Sequence, residues 1–129
     1  MPLRTEKFIT RAMLRAEPET LFVFGDNMLG KGDGGQAYHM RGEPNAVGIP
    51  TKWRPTMRDD AFFCDRDIAP VLEVVVPIFQ RLGSHLDAGG TVVWPEDGIG
   101  TGRAELRERA PAIYEMFRAL RASLKPTAR

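Results

Sequence analysis

Cysteine and histidine are scarce in this sequence, with one Cys and two His among 129 residues. The single Cys64 excludes an intramolecular disulfide framework and a cysteine-based zinc cluster, and it indicates a reducing compartment. His39 and His85 lack the spacing of paired metal ligands. We therefore expect a cytoplasmic protein with no resident metal and no other cofactor.

Excess charge and long apolar segments are also missing. Eighteen Lys and Arg balance seventeen Asp and Glu, so the general electrostatic attraction behind nonspecific nucleic-acid or membrane binding is absent. No apolar stretch approaches the roughly 20 residues that cross a bilayer, and residues 1–17 contain no apolar core of signal-peptide length. We expect no membrane partner, and any bound anion must be held by local contacts.

The apolar residues that are present suffice for one core, and the length is that of one domain, residues 1–129. Three short apolar runs bounded by turn residues predict strands: TLFVF at 20–24, AVGIPT at 46–51 and TVVWP at 91–95. None alternates cleanly, so each strand should be covered on both faces. TRAMLRAE, before the first run, predicts a short helix with Thr10 as its N-cap.

Two longer segments have helical spacing. Residues 67–86 predict a helix that Pro77 should kink or break. Residues 106–124 place apolar side chains three and four positions apart and predict one amphipathic helix. Strands that alternate with helices predict an α/β fold with a mostly parallel or mixed sheet, whose ligand sites lie outside the carboxyl ends of the strands.

Two of the predicted strands run into glycine-rich loops that contain acidic residues. TLFVF is followed by GDNMLGKGDGGQ, residues 25–36, and TVVWP is followed by EDGIGTGR, residues 96–103. Glycines let backbone N–H groups approach a ligand closely, which suits a phosphate or diphosphate. Neither loop matches a known phosphate-binding fingerprint. The alternative is that these glycines only turn the chain and cap helices.

The two loop segments, VFGDNMLGKGDGGQAYH and VVWPEDGIGTG, resemble the two ligand loops of macro domains. The chain resembles more closely a set of short, uncharacterised bacterial and phage proteins that carry FVFGDN, GGQA, GEPNAVGIPTKW and a late GxGTG. The macro-domain resemblance implies a three-layer macro-domain-like fold. It also implies binding of ADP-ribose or a related nucleotide, with hydrolysis of an ADP-ribose conjugate in some members.

On matching positions the macro-domain resemblance assigns individual roles. Asn27 corresponds to the asparagine near the distal ribose, and Gly34 and Gly35 belong to the first phosphate loop. Gln36 stands where active macro hydrolases often carry aspartate. The resemblance places the second phosphate loop at Gly98, Ile99, Gly100, Thr101 and Gly102.

Three polar residues of the loops are candidate catalytic residues. Asp26 could accept a hydrogen bond from a ribose hydroxyl or orient a water molecule, and Asn27 offers both a donor and an acceptor. Asp97 could act as a base towards a bound substrate. For each, the alternative is a local role in a turn or a cap.

A basic cluster follows the middle strand, where Lys52 and Arg54 flank Trp53. This composition suits pairing with a phosphate and stacking on a base, and the alternative is a solvated loop with a partly buried tryptophan. We also expect Arg41 and Glu43 to form a local ion pair or to brace the loop. The complete set of predicted ligand-binding residues is Gly25, Gly34, Gly35, Gln36, Thr51, Lys52, Trp53, Gly98, Ile99, Gly100, Thr101, Gly102 and Arg103.

The sequence therefore predicts binding of ADP-ribose, a related nucleotide or another phosphate ligand between the two loops, with hydrolysis of an ADP-ribose conjugate as a further activity. The alternative function is a noncatalytic module in which TKWRPTMRDDAFF, residues 51–63, contacts a protein or single-stranded nucleic acid.

Overall fold

A computed structural model describes residues 3–32 and 34–124. Its centre is one four-stranded sheet in which every pair of neighbours is parallel, in the order β1-β4-β2-β3. The predicted α/β class with a parallel sheet is confirmed. The strands are β1 (Leu3–Glu6), β2 (Leu21–Asp26), β3 (Ala46–Pro50) and β4 (Val92–Pro95).

Five helices occur within the described residues, together with two short 3₁₀ turns at Asp59–Ala61 and Asp65–Asp67. The N-cap of the first helix is Thr10, as predicted, and its side chain accepts a hydrogen bond from the Met13 amide. None of the helices in this part of the chain combines the length and apolar character needed to cross a bilayer. The helices are α1 (Arg11–Ala16), α2 (Gln36–Met40), α3 (Ile68–Asp87), α4 (Leu106–Arg109) and α5 (Pro111–Ala122).

Helices cover both faces of the sheet, because side chains alternate along the central strands. Leu21 and Val23 of β2 belong to the larger core, which also contains buried residues of α3, α4 and α5. Phe22 and Phe24 belong to a second core with residues of α1 and α2. β2 is thus buried on both sides, as its unbroken apolar run predicts.

β1 was not predicted, because its sequence, LRTE, contains no apolar run. It lies at the edge of the sheet and pairs only with β4. Its Arg4 forms ion pairs with Glu6 and Glu17. An edge strand needs less apolar surface than a central one, so the hydrophobic pattern does not reveal it.

Two prolines lie in the segments predicted as long helices: the break expected at Pro77 does not occur, whereas Pro111 interrupts a helix that was expected to be continuous. Pro77 lies inside α3, which continues without a break. Pro77 has no N–H to donate to the Glu73 carbonyl, but both residues are on the exposed side of the helix, where water can donate to that carbonyl instead. Pro111, by contrast, divides the predicted final helix. Ala110 has φ −143° and ψ 66°, and Pro111 begins α5 at the position where a missing N–H costs nothing.

Candidate functional site

A cavity of about 450 Å³ opens at the carboxyl ends of β2, β3 and β4. The chain leaves β2 towards α2 on one face of the sheet and leaves β4 towards α4 and α5 on the other. Neighbouring parallel strands whose connections diverge in this way leave a crevice between them, which is the usual ligand position in open α/β sheets. We call this cavity the cleft.

The first loop, described at residues 27–32, 34 and 35, and the second loop, residues 96–105, form the walls of the cleft. Every residue that the sequence predicted as catalytic or ligand-binding lines it, except Ile99 and Trp53. Gln36 connects the walls, because its Oε1 accepts a hydrogen bond from the Gly25 amide at 2.8 Å and its Nε2 donates to the Gly98 carbonyl at 3.2 Å. The sequence identifies this position but not its bridging role.

Asp26, at the end of β2, is held by Arg41. The guanidinium group donates two hydrogen bonds to the carboxylate, at 2.6 and 3.1 Å, and both side chains are largely buried. Arg41 also donates to the carbonyls of Lys31 and Gly32 in the first loop. Bidentate pairing of this kind fixes geometry, so Asp26 shapes the loop and is not an unengaged base.

Arg41 does not pair with Glu43, so the predicted ion pair is wrong, although Arg41 does brace the first loop. Glu43 accepts hydrogen bonds from Arg11 and Arg15 of α1. These bonds hold the pKa of Glu43 below its usual value. Short sequence separation suggested the local pair, but the packing of α1 beside α2 brings the other two guanidinium groups closer.

Gly48 in β3 makes room for Asp26. A Cβ atom at Gly48 would lie 2.6 Å from Oδ2 of Asp26 and 3.0 Å from the Phe24 ring. The role of Gly48 was not predicted from the sequence, although a glycine within a strand is a known sign of close approach by another group. The carboxylate thus lies over the neighbouring strand because that strand has no side chain there.

Asn27 uses its side-chain amide within the first loop. Its Nδ2 donates to the Lys31 carbonyl at 2.7 Å, and its Oδ1 accepts from the Leu29 amide at 3.1 Å. The residue is 8% exposed. This arrangement corresponds to the turn role, which was the alternative to ligand contact in the sequence analysis.

The second loop offers backbone donors to the cleft. The amide N–H groups of residues 100–103 donate to no acceptor within residues 3–32 and 34–124. Gly98 and Gly100 have positive φ angles of 82° and 76°, and the Ile99 side chain between them is buried in the larger core. Ile99 therefore anchors the loop from behind while its neighbours face the cleft.

Two charged side chains of the second loop, Asp97 and Arg103, have no hydrogen-bonding or ion-pairing partner among the described residues. Only the Asp97 carbonyl is engaged, by the Thr101 hydroxyl at 3.0 Å. The Arg103 guanidinium reaches across to the first loop, where a Cβ atom at Gly34 would lie 2.8 Å from its Nη1. The cleft thus contains an uncommitted carboxylate and an uncommitted guanidinium.

The segment after β3 closes the cleft on its third side. The Thr51 hydroxyl donates to the Asp26 carbonyl at 3.1 Å. Lys52 is 8% exposed, and its Nζ donates to the Thr56 carbonyl at 2.6 Å. Burial lowers the pKa of Lys52; Glu105 opposes this shift, and Arg103 adds to it.

Trp53 lies outside the cleft, beside a second groove. Its Nε1 donates to Asp67 at 3.2 Å, and its ring meets the Phe63 ring edge to face at 5.1 Å. Phe62 and Phe63 are both buried. Trp53 and Phe63 therefore pack with the larger core, and the three aromatic residues of 51–63 line the second groove, not the cleft. Nor do three metal-ligating side chains cluster anywhere in the described structure.

Comparison with known proteins corrects the family assignment. No macro-domain family matches, so the macro-domain resemblance is wrong. Strands that run into glycine-rich turns are common at the ligand crevices of parallel α/β sheets, so two such segments do not define a family. No curated protein and no solved structure matches the chain significantly. One family model matches, described as a family of unknown function (DUF7831), over residues 4–120, which include both loops of the cleft; the chain belongs to this family.

Proposed function

We propose that this protein binds a nucleotide containing a diphosphate, with ADP-ribose as one candidate, in the cleft between its two glycine-rich loops. The observation that carries the proposal is a set of unengaged donors on residues that line the cleft. Residues 100–103 belong to the lining, and their amides and the Arg103 guanidinium have no acceptor in the described part of the chain. Backbone amides and arginine together are typical ligands of phosphate oxygens.

The size and charge of the cleft support the same class of ligand. A volume of about 450 Å³ lies within the range of small-molecule sites. Because Asp26 and Arg41 neutralise each other, the remaining charged side chains of the described lining are three cations and one carboxylate: Lys31, Lys52, Arg103 and Asp97. This excess of positive charge is local, whereas the whole chain carries a formal net charge of only +1.

The nonphosphate parts of a nucleotide also have complementary groups in the cleft. The Asp97 carboxylate can accept hydrogen bonds from ribose hydroxyls. Pro55 and Met57 form an apolar part of the lining, against which a base can pack. Trp53 has no part in this arrangement, because it lies in the second groove.

Isothermal titration calorimetry with ADP-ribose, ADP and adenosine tests the proposal. We expect saturable heat with both diphosphates and none with adenosine, which lacks the phosphate groups. The absence of heat with both diphosphates at millimolar concentration would refute the proposal. Salt-sensitive binding of single-stranded DNA without nucleotide binding would favour the interaction-module alternative instead.

A graded pair of variants localises the binding to the cleft. In Gly34→Ala the new methyl group meets only the end of the Arg103 side chain, which can move. Gly34→Val puts more bulk between the two walls. We expect a modest loss of affinity in the first variant and loss of binding in the second, with thermal unfolding confirming that both are folded. Equal affinity in wild type and Gly34→Val would exclude the cleft as the site.

Hydrolysis of an ADP-ribose conjugate is a second activity, favoured by the unpaired Asp97 carboxylate in the cleft lining. In this reaction Asp97 takes a proton from water, and the water oxygen bonds to the anomeric carbon of the distal ribose. The conjugated group leaves with the bonding electron pair and receives the proton that Asp97 took up, which restores the carboxylate. Release of ADP-ribose from a protein modified on arginine or glutamate is measured by mass spectrometry. We expect Asp97→Asn to abolish release while retaining nucleotide binding, and release at the wild-type rate would exclude this role.

A further inference from the structure

Lys52 is a buried ammonium group without a carboxylate partner. Its Nζ has one oxygen acceptor, the Thr56 carbonyl at 2.6 Å, and lies 3.7 Å from the Met57 sulfur and 4.4 Å from the centre of the Phe62 ring. No ion pair in the described part of the chain includes it. The Met57 sulfur is a second but weak acceptor, so the three ammonium protons have only one strong acceptor among the described residues.

The other charges around Lys52 are either already paired or also positive. Glu105, the acidic group that acts on Lys52 electrostatically, forms an ion pair with Arg109 at 2.8 Å. Arg109 also contacts Phe62, and its Cζ lies 3.7 Å from the ring centre. Arg103 lowers the pKa of Lys52 electrostatically and has no partner among the described residues. Lys52 and Arg103 are thus two cations that line one cavity without a counterion from the described chain.

A buried charge without a counterion is costly, and a cavity beside it allows a ligand to supply the missing charge. We infer that Lys52 and Arg103 form an anion subsite on the β3 side of the cleft, where a phosphate group of the ligand is the counterion of Lys52. This inference rests on the proposed function, and it assigns the position of the phosphate and the residues that hold it. Arg41 is excluded from the subsite, because its guanidinium group already donates two hydrogen bonds to the Asp26 carboxylate.

Anion binding at this subsite is coupled to protonation. Burial holds the pKa of Lys52 below its usual value, Arg103 and Arg109 lower it further, and Glu105 opposes them. A bound phosphate favours the charged form and raises the pKa of Lys52. Binding therefore takes up a proton when the pH lies between the pKa of the free protein and that of the complex, and affinity falls as the pH rises through this interval.

Calorimetric titration with ADP and with ADP-ribose, from about pH 8 to about pH 10, tests the subsite. Measurement in two buffers with different ionisation enthalpies gives the number of protons taken up, and neither probe titrates in this range. We expect proton uptake with wild type. Lys52→Met should bind about ten- to a hundredfold more weakly, because it loses a charge-assisted hydrogen bond, and should take up no proton.

Two further variants separate charge at this position from a general effect. Lys52→Arg retains the positive charge but does not deprotonate in this range, so we expect it to bind more tightly than Lys52→Met, without proton uptake. Lys7→Met removes an exposed lysine outside the cleft lining and should bind as wild type does. Thermal unfolding confirms that each variant is folded.

The outcomes distinguish the subsite from the proposed function. If either probe binds wild type but Lys52→Met has equal affinity and equal proton uptake, the subsite is wrong and the proposed function stands. If neither probe binds wild type, the proposed function is wrong and the subsite is rejected with it.

Discussion

The Asp26–Arg41 pair should determine the stability of the first loop, and Arg41→Met removes the cationic partner. The remaining carboxylate keeps the hydrogen bond from the Asn27 amide but loses two bonds of 2.6 and 3.1 Å. Only 22% of the Arg41 side chain and 13% of the Asp26 side chain are exposed. Breaking a fully buried pair costs about 3–5 kcal/mol, and a surface pair contributes up to about 1 kcal/mol. Arg41→Met should therefore lower the free energy of unfolding by an intermediate amount, about 2–3 kcal/mol.

Urea unfolding, followed by tryptophan fluorescence, measures this loss. In a chain of this size, a loss of about 2–3 kcal/mol in the free energy of unfolding corresponds to a fall in Tm of about 10 °C. A double-mutant cycle with Asp26→Asn isolates the pair, and we expect a coupling energy of about 1–2 kcal/mol. Arg107→Met, at an exposed position outside the cleft lining, is the matched control and should change stability by less than about 0.5 kcal/mol.

The reasoning about this pair is refuted if Arg41→Met is no less stable than Arg107→Met, or if the coupling energy is close to zero. Hydrogen exchange gives a second readout, because the Arg41 guanidinium also donates to the carbonyls of Lys31 and Gly32. Exchange in residues 27–32 should accelerate in Arg41→Met and remain unchanged in the control. Equal exchange in both variants would show that the loop does not depend on Arg41.

Three further perturbations follow from named contacts. Gly48→Ala should destabilise the fold by about 2 kcal/mol or more, because the new methyl group meets the Asp26 carboxylate. Gly83→Ala, in open space within α3, should instead stabilise the fold by about 1 kcal/mol. Chemical denaturation compares the two variants, and the opposite order of stability would contradict the packing described for Gly48. Gln36→Leu should cost about 1–3 kcal/mol and weaken nucleotide binding, since it removes the link between the walls of the cleft; wild-type stability and affinity would show that the link is dispensable. The pKa of Glu43 is lower in the folded than in the unfolded chain, so the stability that Glu43 contributes is present above its unfolded pKa and is lost as the pH falls through its folded pKa. The free energy of unfolding between about pH 6 and pH 3 should therefore depend less steeply on pH in Glu43→Gln than in wild type. Identical slopes would argue against this contribution.

The parts of the fold that were predictable are those with local signals. β2 and β4 are apolar runs ended by turn residues, and Thr10 caps α1 as the residue type suggests. β1 and the break at Pro111 were missed for different reasons. The edge strand has a polar sequence, and the apolar periodicity of residues 106–124 continues across a break in the backbone.

The candidate site shows the same division. The two glycine-rich loops were identified because glycine restricts the local conformation least, but the partners of their side chains were not. Gln36 contacts Gly98, which is 62 positions away in the chain, and Arg41 pairs with Asp26 instead of its near neighbour Glu43. The macro-domain assignment failed because it relied on the local pattern of two loops, which many parallel sheets share.

The sequence by itself determined the class of fold, the central strands and the two loops in which backbone groups can approach a ligand. These properties depend on neighbouring residues, through hydrophobic pattern and backbone freedom. The tertiary structure alone decided that β4 lies beside β2, that both loops form one cleft and that Lys52 is buried there beside Arg103 without a carboxylate partner in the described chain. Strand order and the choice of charge partners depend on contacts between distant segments, and no short pattern in the chain specifies them.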